Sequence, residues 1–97
     1  MLTVDEIRRA AQELGAQYGV EHIYLFGSYA RGEATADSDV DLRLDKGQLR
    51  GLFQLAGLQL ALEDRLGAKV DLLPSDSLDD RFLSRIRREE VMLYGAQ

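Results

Sequence analysis

The chain has 97 residues, enough for one hydrophobic core, so we expect a single domain covering residues 1–97. Its 17 acidic and 12 basic side chains give a net charge of −5, which argues against general nucleic-acid binding because such proteins carry basic surfaces. The absence of cysteine excludes disulfides and thiolate metal sites, and with no signal peptide and no membrane-spanning apolar run we expect a cytoplasmic protein without membrane contact.

The first predicted element is an amphipathic helix that begins after Thr3. Thr3 and Glu6 have the types and spacing of a capping box, in which each side chain accepts a hydrogen bond from the other residue's backbone. Apolar residues recur at helical spacing from Val4 to Tyr18, and Gly19 is a suitable stop. We expect this helix to be part of the scaffold.

A short apolar strand is predicted at residues 23–26, and it leads directly into a Gly-Ser turn. We expect Tyr24 and Phe26 to be core residues under a helix. Gly27 has no Cβ, so the backbone can turn sharply and a phosphate can approach it closely. Ser28 is a good N-cap for a short helix, whose free N–H groups and serine hydroxyl can bind phosphate. A Gly-Ser turn alone, however, is common in proteins of every kind.

Four polar residues around this turn have more than one interpretation. Arg31 suits a bidentate phosphate contact, and it equally suits an ion pair with Asp37 or another nearby acid. Ser38 can contact phosphate or hold the loop, while for Asp37 a loop-capping role is favoured. His22 is the only histidine, and we expect a boundary residue because no second histidine or cysteine completes a metal set.

The second predicted strand carries two acids on one face. Side chains alternate along a strand, so Asp39 and Asp41 share a face while Val40, Leu42 and Leu44 point into the core. The two carboxylates lie roughly 7 Å apart on such a strand and repel each other unless a cation is present. Carboxylate oxygens suit Mg²⁺, which fills its remaining positions with water and phosphate. An Asp-x-Asp pair alone is most often a solvated strand face.

A long, unusually apolar helix is predicted from Gln48 to Leu66, with Gly67 as its stop. One apolar stripe consists of Leu49, Leu52, Phe53, Ala56 and Leu60. Three further leucines widen it, namely Leu55, Leu58 and Leu62. A helix that is apolar over so much of its circumference either undergoes ordinary burial with a few exposed leucines or contacts another chain.

A third strand is predicted at residues 69–73, ending at Pro74, and it holds Asp71 on the face opposite its apolar residues. Such an acid is usually a solvated strand residue. If this strand lies beside the strand of Asp39 and Asp41, however, the three acids converge.

Ser77 is predicted to cap a last helix, residues 78–89. This segment carries a basic cluster made of Arg81, Arg85, Arg87 and Arg88. The cluster suits a docking patch or an RNA-facing edge. The favoured interpretation is a solvated helix face with ion pairs to Glu89 and Glu90.

The order of these motifs is more specific than any of them alone. Residues 27–32 read Gly-Ser-Tyr-Ala-Arg-Gly, ten residues separate Ser28 from Asp39, and residues 37–42 read Asp-Ser-Asp-Val-Asp-Leu. The pattern resembles the signature of the DNA-polymerase-β-type nucleotidyltransferase superfamily over nearly the whole chain. Its form on so short a chain resembles the minimal nucleotidyltransferases, many of which are antitoxin partners of HEPN-domain toxins.

The predicted elements give an α/β fold with a small mixed sheet of three or four strands. Residues 91–94 can form a final short strand or prolong the last helix, and the resemblance favours the strand. The resemblance implies a metal-dependent enzyme that uses a nucleoside triphosphate. It implies that Asp39 and Asp41 bind Mg²⁺, and that Asp71 helps hold the metal or accepts the proton of the attacking hydroxyl. The Gly-Ser turn would then hold the phosphates.

For the antitoxin branch, the resemblance implies transfer of AMP from ATP to a tyrosine of a HEPN-type toxin. Two alternatives stand beside it. The protein can be a catalytically idle antitoxin that neutralises its partner by binding alone, or a nucleotidyltransferase that modifies a small molecule or an RNA end.

Overall fold

A four-stranded mixed sheet lies at the centre of the computed structural model, which describes residues 1–96. Its strands are β1 (His22–Phe26), β2 (Val40–Asp45), β3 (Val70–Pro74) and β4 (Val91–Tyr94). Its helices are α1 (Val4–Tyr18), α2 (Gly27–Arg31), α3 (Gly51–Leu66) and α4 (Asp80–Ile86), with a 3-10 turn at Ser75–Ser77. The strand order is β3-β2-β1-β4, with β1 antiparallel to both neighbours and β2 parallel to β3. The predicted α/β fold and the predicted final strand are confirmed.

Helices α1 and α3 cover one face of the sheet, and the core lies between them and the strands. The alternation predicted for β2 holds, because Val40, Leu42 and Leu44 are fully buried on this face. The opposite face, which we call the outer face, carries Asp41, Arg43 and Asp45 from the same strand. Every acid of β2 therefore lies on the outer face.

The first helix begins as predicted. The Glu6 N–H donates to Thr3 Oγ1 at 3.1 Å, the Thr3 N–H donates to the Glu6 carboxylate at 3.0 Å, and Gly19 ends the helix in the left-handed region. The capping box is thus present in both directions.

The core face of β1 differs from the prediction. Ile23 and Leu25 are the fully buried residues beneath α1 and α3. Phe26 is buried on the outer face, where its ring meets the Phe82 ring of α4 edge-to-face at 6.1 Å. Tyr24 is only half-buried, beneath the Arg43 guanidinium. The strand is apolar on both faces because α4 covers part of the outer one.

Helix α3 begins three residues later than predicted and presents a different face. Residues 46–50 form a turn whose Leu49 is buried, and the helix proper starts at Gly51. Leu58 and Leu62 are fully buried, whereas the predicted stripe residues Leu52 and Phe53 are 82% and 95% exposed. The leucines on two adjacent faces are equally apolar, so only packing decides which of them are buried. The exposed side chains fit both interpretations left open by the sequence, ordinary burial with a few exposed leucines and contact with another chain.

The last helix is also shorter than predicted. Asp79, and not Ser77, is the N-cap, because its carboxylate accepts the Phe82 N–H at 2.8 Å. Ser77 instead ends the 3-10 turn and donates to the Pro74 carbonyl. The chain leaves α4 at Ile86 and turns back into β4, which forms the sheet edge beside β1.

None of the helices within residues 1–96 combines the length and the apolar character needed to cross a lipid bilayer.

Candidate active site

Two of the three predicted acids face each other across neighbouring strands. Strands β2 and β3 pair in parallel with Asp41 opposite Asp71, so both side chains leave the outer face at the same level. Phe26 pairs with Asp41 on the other side, which places the Gly-Ser turn directly beside the carboxylate. Asp41 and Asp71 are both partly exposed. Strand pairing therefore brings residues from three distant segments of the sequence to one end of the sheet.

Gly27 is required for this arrangement. Its φ is +76°, a region that side chains other than glycine rarely adopt, and a Cβ at this position would lie 3.0 Å from Asp41 Cγ and overlap the carboxylate oxygen. The turn therefore packs against the acid through the bare backbone. Any larger residue would displace Asp41.

The Asp41 carboxyl holds its proton unusually strongly. Burial, followed by the charge of Asp71 and a hydrogen bond to it, raises its pKa from 3.8 to about 6, and the charge of Asp39 adds to this effect while Arg31 opposes it. Adjacent carboxylates that repel each other in a partly dehydrated site suit a divalent cation, because a cation removes the repulsion and oxygen is the donor that Mg²⁺ prefers. The donor set therefore fits the metal implied by the resemblance.

Asp39 lies just outside the strand on which it was predicted. Strand β2 begins at Val40, whose N–H donates to the Lys69 carbonyl at 2.9 Å, so the loop fixes Asp39 beside the pair without placing it in the ladder. Among residues 1–96, the one group of three potential metal ligands whose atoms all lie within 4.8 Å of one another is not this trio. Asp41 and Asp71 thus face each other across the ladder, and Asp39 lies just before it.

That closer group, Glu21, His22 and Asp45, lies at the opposite end of the sheet. His22 Nδ1 is 2.9 Å from the Asp45 carboxylate and Nε2 is 2.8 Å from the Ala96 carbonyl. Both ring nitrogens thus contact acceptors, which suits a protonated imidazole and leaves no lone pair for a metal. His22 is the first residue of β1 and is partly exposed, as expected of a boundary residue.

The Gly-Ser turn continues into α2, as expected, but with a different cap. Phe26 occupies the N-cap position, and Gly27 and Ser28 are the first two helical residues. Ser28 therefore does not cap the helix with its side chain. Gly32 ends α2 in the left-handed region, as predicted.

Arg31 and Ser38 are engaged in holding the loop. Arg31 donates to Glu33 at 2.9 Å and to Glu89 at 2.8 Å, so its partners are acids other than Asp37. The Thr35 N–H donates to Ser38 Oγ at 2.8 Å. Asp37 is exposed at the tip of the same loop.

Sequence reasoning missed one buried charge on the outer face. Arg43 is 3% exposed, stacks on the Tyr24 ring at 4.1 Å and makes a bidentate ion pair with Glu90, at 3.0 and 2.7 Å. A further nitrogen donates to Ser75 Oγ at 2.7 Å. The feature of the sequence that could have indicated this role is the position of Arg43 between two outward-facing acids, Asp41 and Asp45. Arg43 joins β2 to the segment that enters β4.

Comparison with known proteins identifies the family. The family model described as polymerase beta, nucleotidyltransferase matches residues 9–97. The protein adenylyltransferase MntA of Thermococcus cleftensis is 40% identical over 95 residues, which are 94% of this chain and 96% of that protein.

Two solved structures share the fold. A chain from the crystal structure of a toxin–antitoxin with AMP-PNP has a TM-score of 0.81 at 24% identity, over 93% of this chain and 74% of that chain. A chain from the complex of a tri-AMPylated Shewanella oneidensis HEPN toxin with an MNT antitoxin has a TM-score of 0.74 at 20% identity, over 99% of this chain and 75% of that one.

The family match extends over both the Gly-Ser turn and the three acids, so the resemblance carried by these motifs is confirmed. The chain belongs to the polymerase beta nucleotidyltransferase family.

Proposed function

We propose that this nucleotidyltransferase transfers AMP from ATP to a tyrosine hydroxyl of a HEPN-type toxin and thereby acts as the toxin's antitoxin. The observation that carries the proposal is the Asp41–Asp71 pair beside the Gly27 turn. The relative from Thermococcus cleftensis, a protein adenylyltransferase, supports AMP transfer to protein. The complexes of the same fold with toxins support the choice of partner.

Asp39, Asp41 and Asp71 would hold Mg²⁺ in this proposal. The bound cation would neutralise charge on the triphosphate and on the departing pyrophosphate. The raised pKa of Asp41 supports this assignment, because a cation between neighbouring carboxylates favours the ionised forms of both.

The transfer is an in-line substitution at the α-phosphorus of ATP. The tyrosine oxygen forms a bond to the α-phosphorus while the bond from that phosphorus to the bridging oxygen breaks, and pyrophosphate leaves with the electron pair. The phenolic proton passes to a carboxylate, for which Asp71 is the proposed acceptor. Because Asp41 and Asp71 are both partly exposed, a hydroxyl of another molecule has a route to them.

We assign the β- and γ-phosphates to the Gly27–Ser28 turn. The missing Cβ at Gly27 lets the backbone of the turn lie directly beside Asp41, and the Ser28 hydroxyl is a donor at the same turn. Arg31 and Ser38 already make contacts within the loop region, to Glu33, Glu89 and Thr35. Their present contacts favour a role in shaping the loop.

The test is to incubate the protein with ATP, Mg²⁺ and the product of the neighbouring gene, and to weigh that product by mass spectrometry. We expect a gain of AMP that Asp39→Ala and Asp41→Ala each abolish. Asp37→Ala is the matched control, because this exposed loop acid lies in the same segment without joining the pair.

Two other outcomes would contradict the proposal. An unmodified partner held in a stable complex would identify a catalytically idle antitoxin. Nucleotide turnover without a mass change on any protein would identify a small molecule or an RNA end as the acceptor.

A further inference from the structure

Helix α4 and the turn after it present a row of arginines to solvent. Arg81, Arg85 and Arg88 are exposed and line one shallow concavity together with Asp80 and Ser84. We call these three arginines the basic stripe. Their spacing of four and then three residues places them on one side of a helix, with the buried Ile86 on the other. The stripe stands out on a chain of net charge −5.

The two acids predicted to pair with these arginines form ion pairs with other residues. Glu89 accepts from Arg31 at 2.8 Å, and Glu90 makes its bidentate pair with Arg43. Among residues 1–96, no carboxylate lies within 4.0 Å of a stripe guanidinium. The predicted solvated helix face is thus present, but the predicted pairs with Glu89 and Glu90 are wrong, and the stripe is a positive surface without an ion-pair partner among the described residues.

The stripe lies beside the candidate active site. Phe82, which lies among the stripe residues on α4, packs on Phe26 immediately before the Gly-Ser turn. Glu89 follows the last stripe residue and reaches Arg31, whose charge acts on Asp41. A molecule that binds the stripe is thus held on a helix that packs against the strand leading into the carboxylate site.

We propose that the basic stripe docks an acidic segment of the acceptor protein and so presents the acceptor hydroxyl to the site. This inference rests on the proposed function, because it names a feature of that function's protein substrate. Guanidinium groups bind carboxylates in bidentate fashion, and four helical residues rise about 6 Å, close to the roughly 7 Å between alternate residues of an extended peptide. The matching segment has two acids separated by one residue.

A short acidic peptide suits this surface better than a nucleic acid does. Two or three carboxylates are balanced by three guanidinium groups, whereas a nucleic acid would extend its phosphates beyond the stripe onto an acidic protein. Asp79 and Asp80 at the start of α4 also limit how far a phosphate chain can run.

Binding is tested with two fluorescein-labelled peptides that contain one tyrosine beside either Glu-Ala-Glu or Gln-Ala-Gln, by fluorescence anisotropy in EDTA without ATP. We expect the Glu peptide to bind the wild-type protein more tightly, and the charge-reversed variant R81E/R85E/R88E to bind it roughly tenfold or more weakly. The matched control R9E/R50E/K69E reverses three exposed basic residues outside α4 and leaves this binding unchanged. The affinity of a milder variant, Arg85→Gln, for the Glu peptide should lie between those of the wild type and the triple variant. This variant keeps the test valid if the triple variant misfolds.

Transfer is then measured with ATP and Mg²⁺ on the same peptides. We expect the triple variant to have a higher KM for the Glu peptide than the wild type and an unchanged kcat. This difference in KM should shrink at high salt. Equal binding of the two peptides to the wild type, or tighter binding of a short RNA than of the Glu peptide, would overturn the docking proposal. Binding of the Glu peptide through the stripe, together with no AMP gain on the neighbouring gene's product in the mass-spectrometric test, would support docking and overturn the proposed function instead.

Discussion

Two aspartates of one strand, Asp41 and Asp45, lie at the two ends of the outer face, and their pKa values are shifted in opposite directions. At Asp41, burial and the neighbouring Asp71 raise the pKa to about 6. At Asp45, burial acts in the same direction, but hydrogen bonds from Ser75 and His22 and the charge of Arg43 outweigh it and lower the pKa. The side chains are of one type, on one strand and one face.

The two ends differ in whether cationic side chains of the protein pair with the carboxylates. At the Asp45 end, Arg43 and His22 satisfy the acids, and this end joins β2 to the segment around β4 and to Ala96. At the Asp41 end, the described residues leave the pair uncompensated apart from the nearby charge of Arg31. One end therefore stabilises the fold, and the other retains a repulsion that binding of a cation would relieve.

The largest expected effect comes from removing the cation at the stabilising end. Arg43→Ala leaves Glu90 and Asp45 without their guanidinium partner in a mostly buried site, so we expect a loss of about 3–5 kcal/mol in the free energy of unfolding. Arg43→Lys keeps the charge but not the bidentate geometry, and it should lose less. Urea denaturation measures both. A loss below about 1 kcal/mol for Arg43→Ala would mean that this end is not held by its charges.

The next effect concerns the close approach at the functional end. Gly27→Ala places a Cβ against the Asp41 carboxylate, so we expect AMP transfer to fall by about a hundredfold, or about 2.7 kcal/mol. Gly32→Ala is the matched control, because φ is also positive there but a Cβ meets no atom within 4 Å. Both variants carry backbone strain of about 1–2 kcal/mol. Equal activity of the two variants would show that strain, and not displacement of Asp41, controls the rate.

A smaller effect is expected on the stability of the metal-free protein. The pKa of Asp41 is higher in the folded state than its ordinary value, so the folded protein favours the protonated form and loses stability as the pH rises from about 4 to above 6. Asp41→Asn cannot ionise, and after allowance for its partial exposure it should stabilise the protein by about 1–2 kcal/mol at pH values above that range. Below the range, the gain should vanish.

This prediction is measured by urea denaturation in EDTA across the range. Asp37→Asn, which changes an exposed acid of the neighbouring loop, should have no such pH-dependent effect. A gain for Asp41→Asn that is the same at every pH would show that carboxylate repulsion is not its cause.

The smallest effect belongs to His22. Its hydrogen bond to the Ala96 carbonyl raises its pKa above 6.5, burial opposes this, and the bond to Asp45 adds to it. The imidazolium therefore stabilises the fold fully below pH 6.5, and this contribution is lost as the pH rises through the raised value. His22→Gln should cost up to about 1 kcal/mol at acidic pH and almost nothing at alkaline pH, as measured by thermal unfolding. A cost that grows with pH would contradict this assignment.

Several features of the fold followed from local sequence. The capping box at Thr3, the glycine stop at Gly19 and the alternation along β2 agree with the structure. The final strand at Val91–Tyr94 was favoured by the family resemblance and not by the local pattern. Local sequence did not reveal which face of α3 is exposed, because leucines lie on two faces of this helix and give it no single apolar side. The cap of α4 was placed two residues early because Ser77 and Asp79 are both good N-cap residues.

Sequence by itself determined the chemistry available at the site. It supplies a glycine at a turn that has no room for a Cβ, a serine after that glycine, and acids that alternate with core residues. These are properties of single residues and of short-range periodicity. The tertiary structure alone decided that Asp71 faces Asp41, that Arg43 is buried against Glu90, and that Glu89 and Glu90 leave the basic stripe unpaired. Such pairings join residues 30 to about 60 positions apart, and they depend on strand register and on competition between partners, which no local pattern encodes.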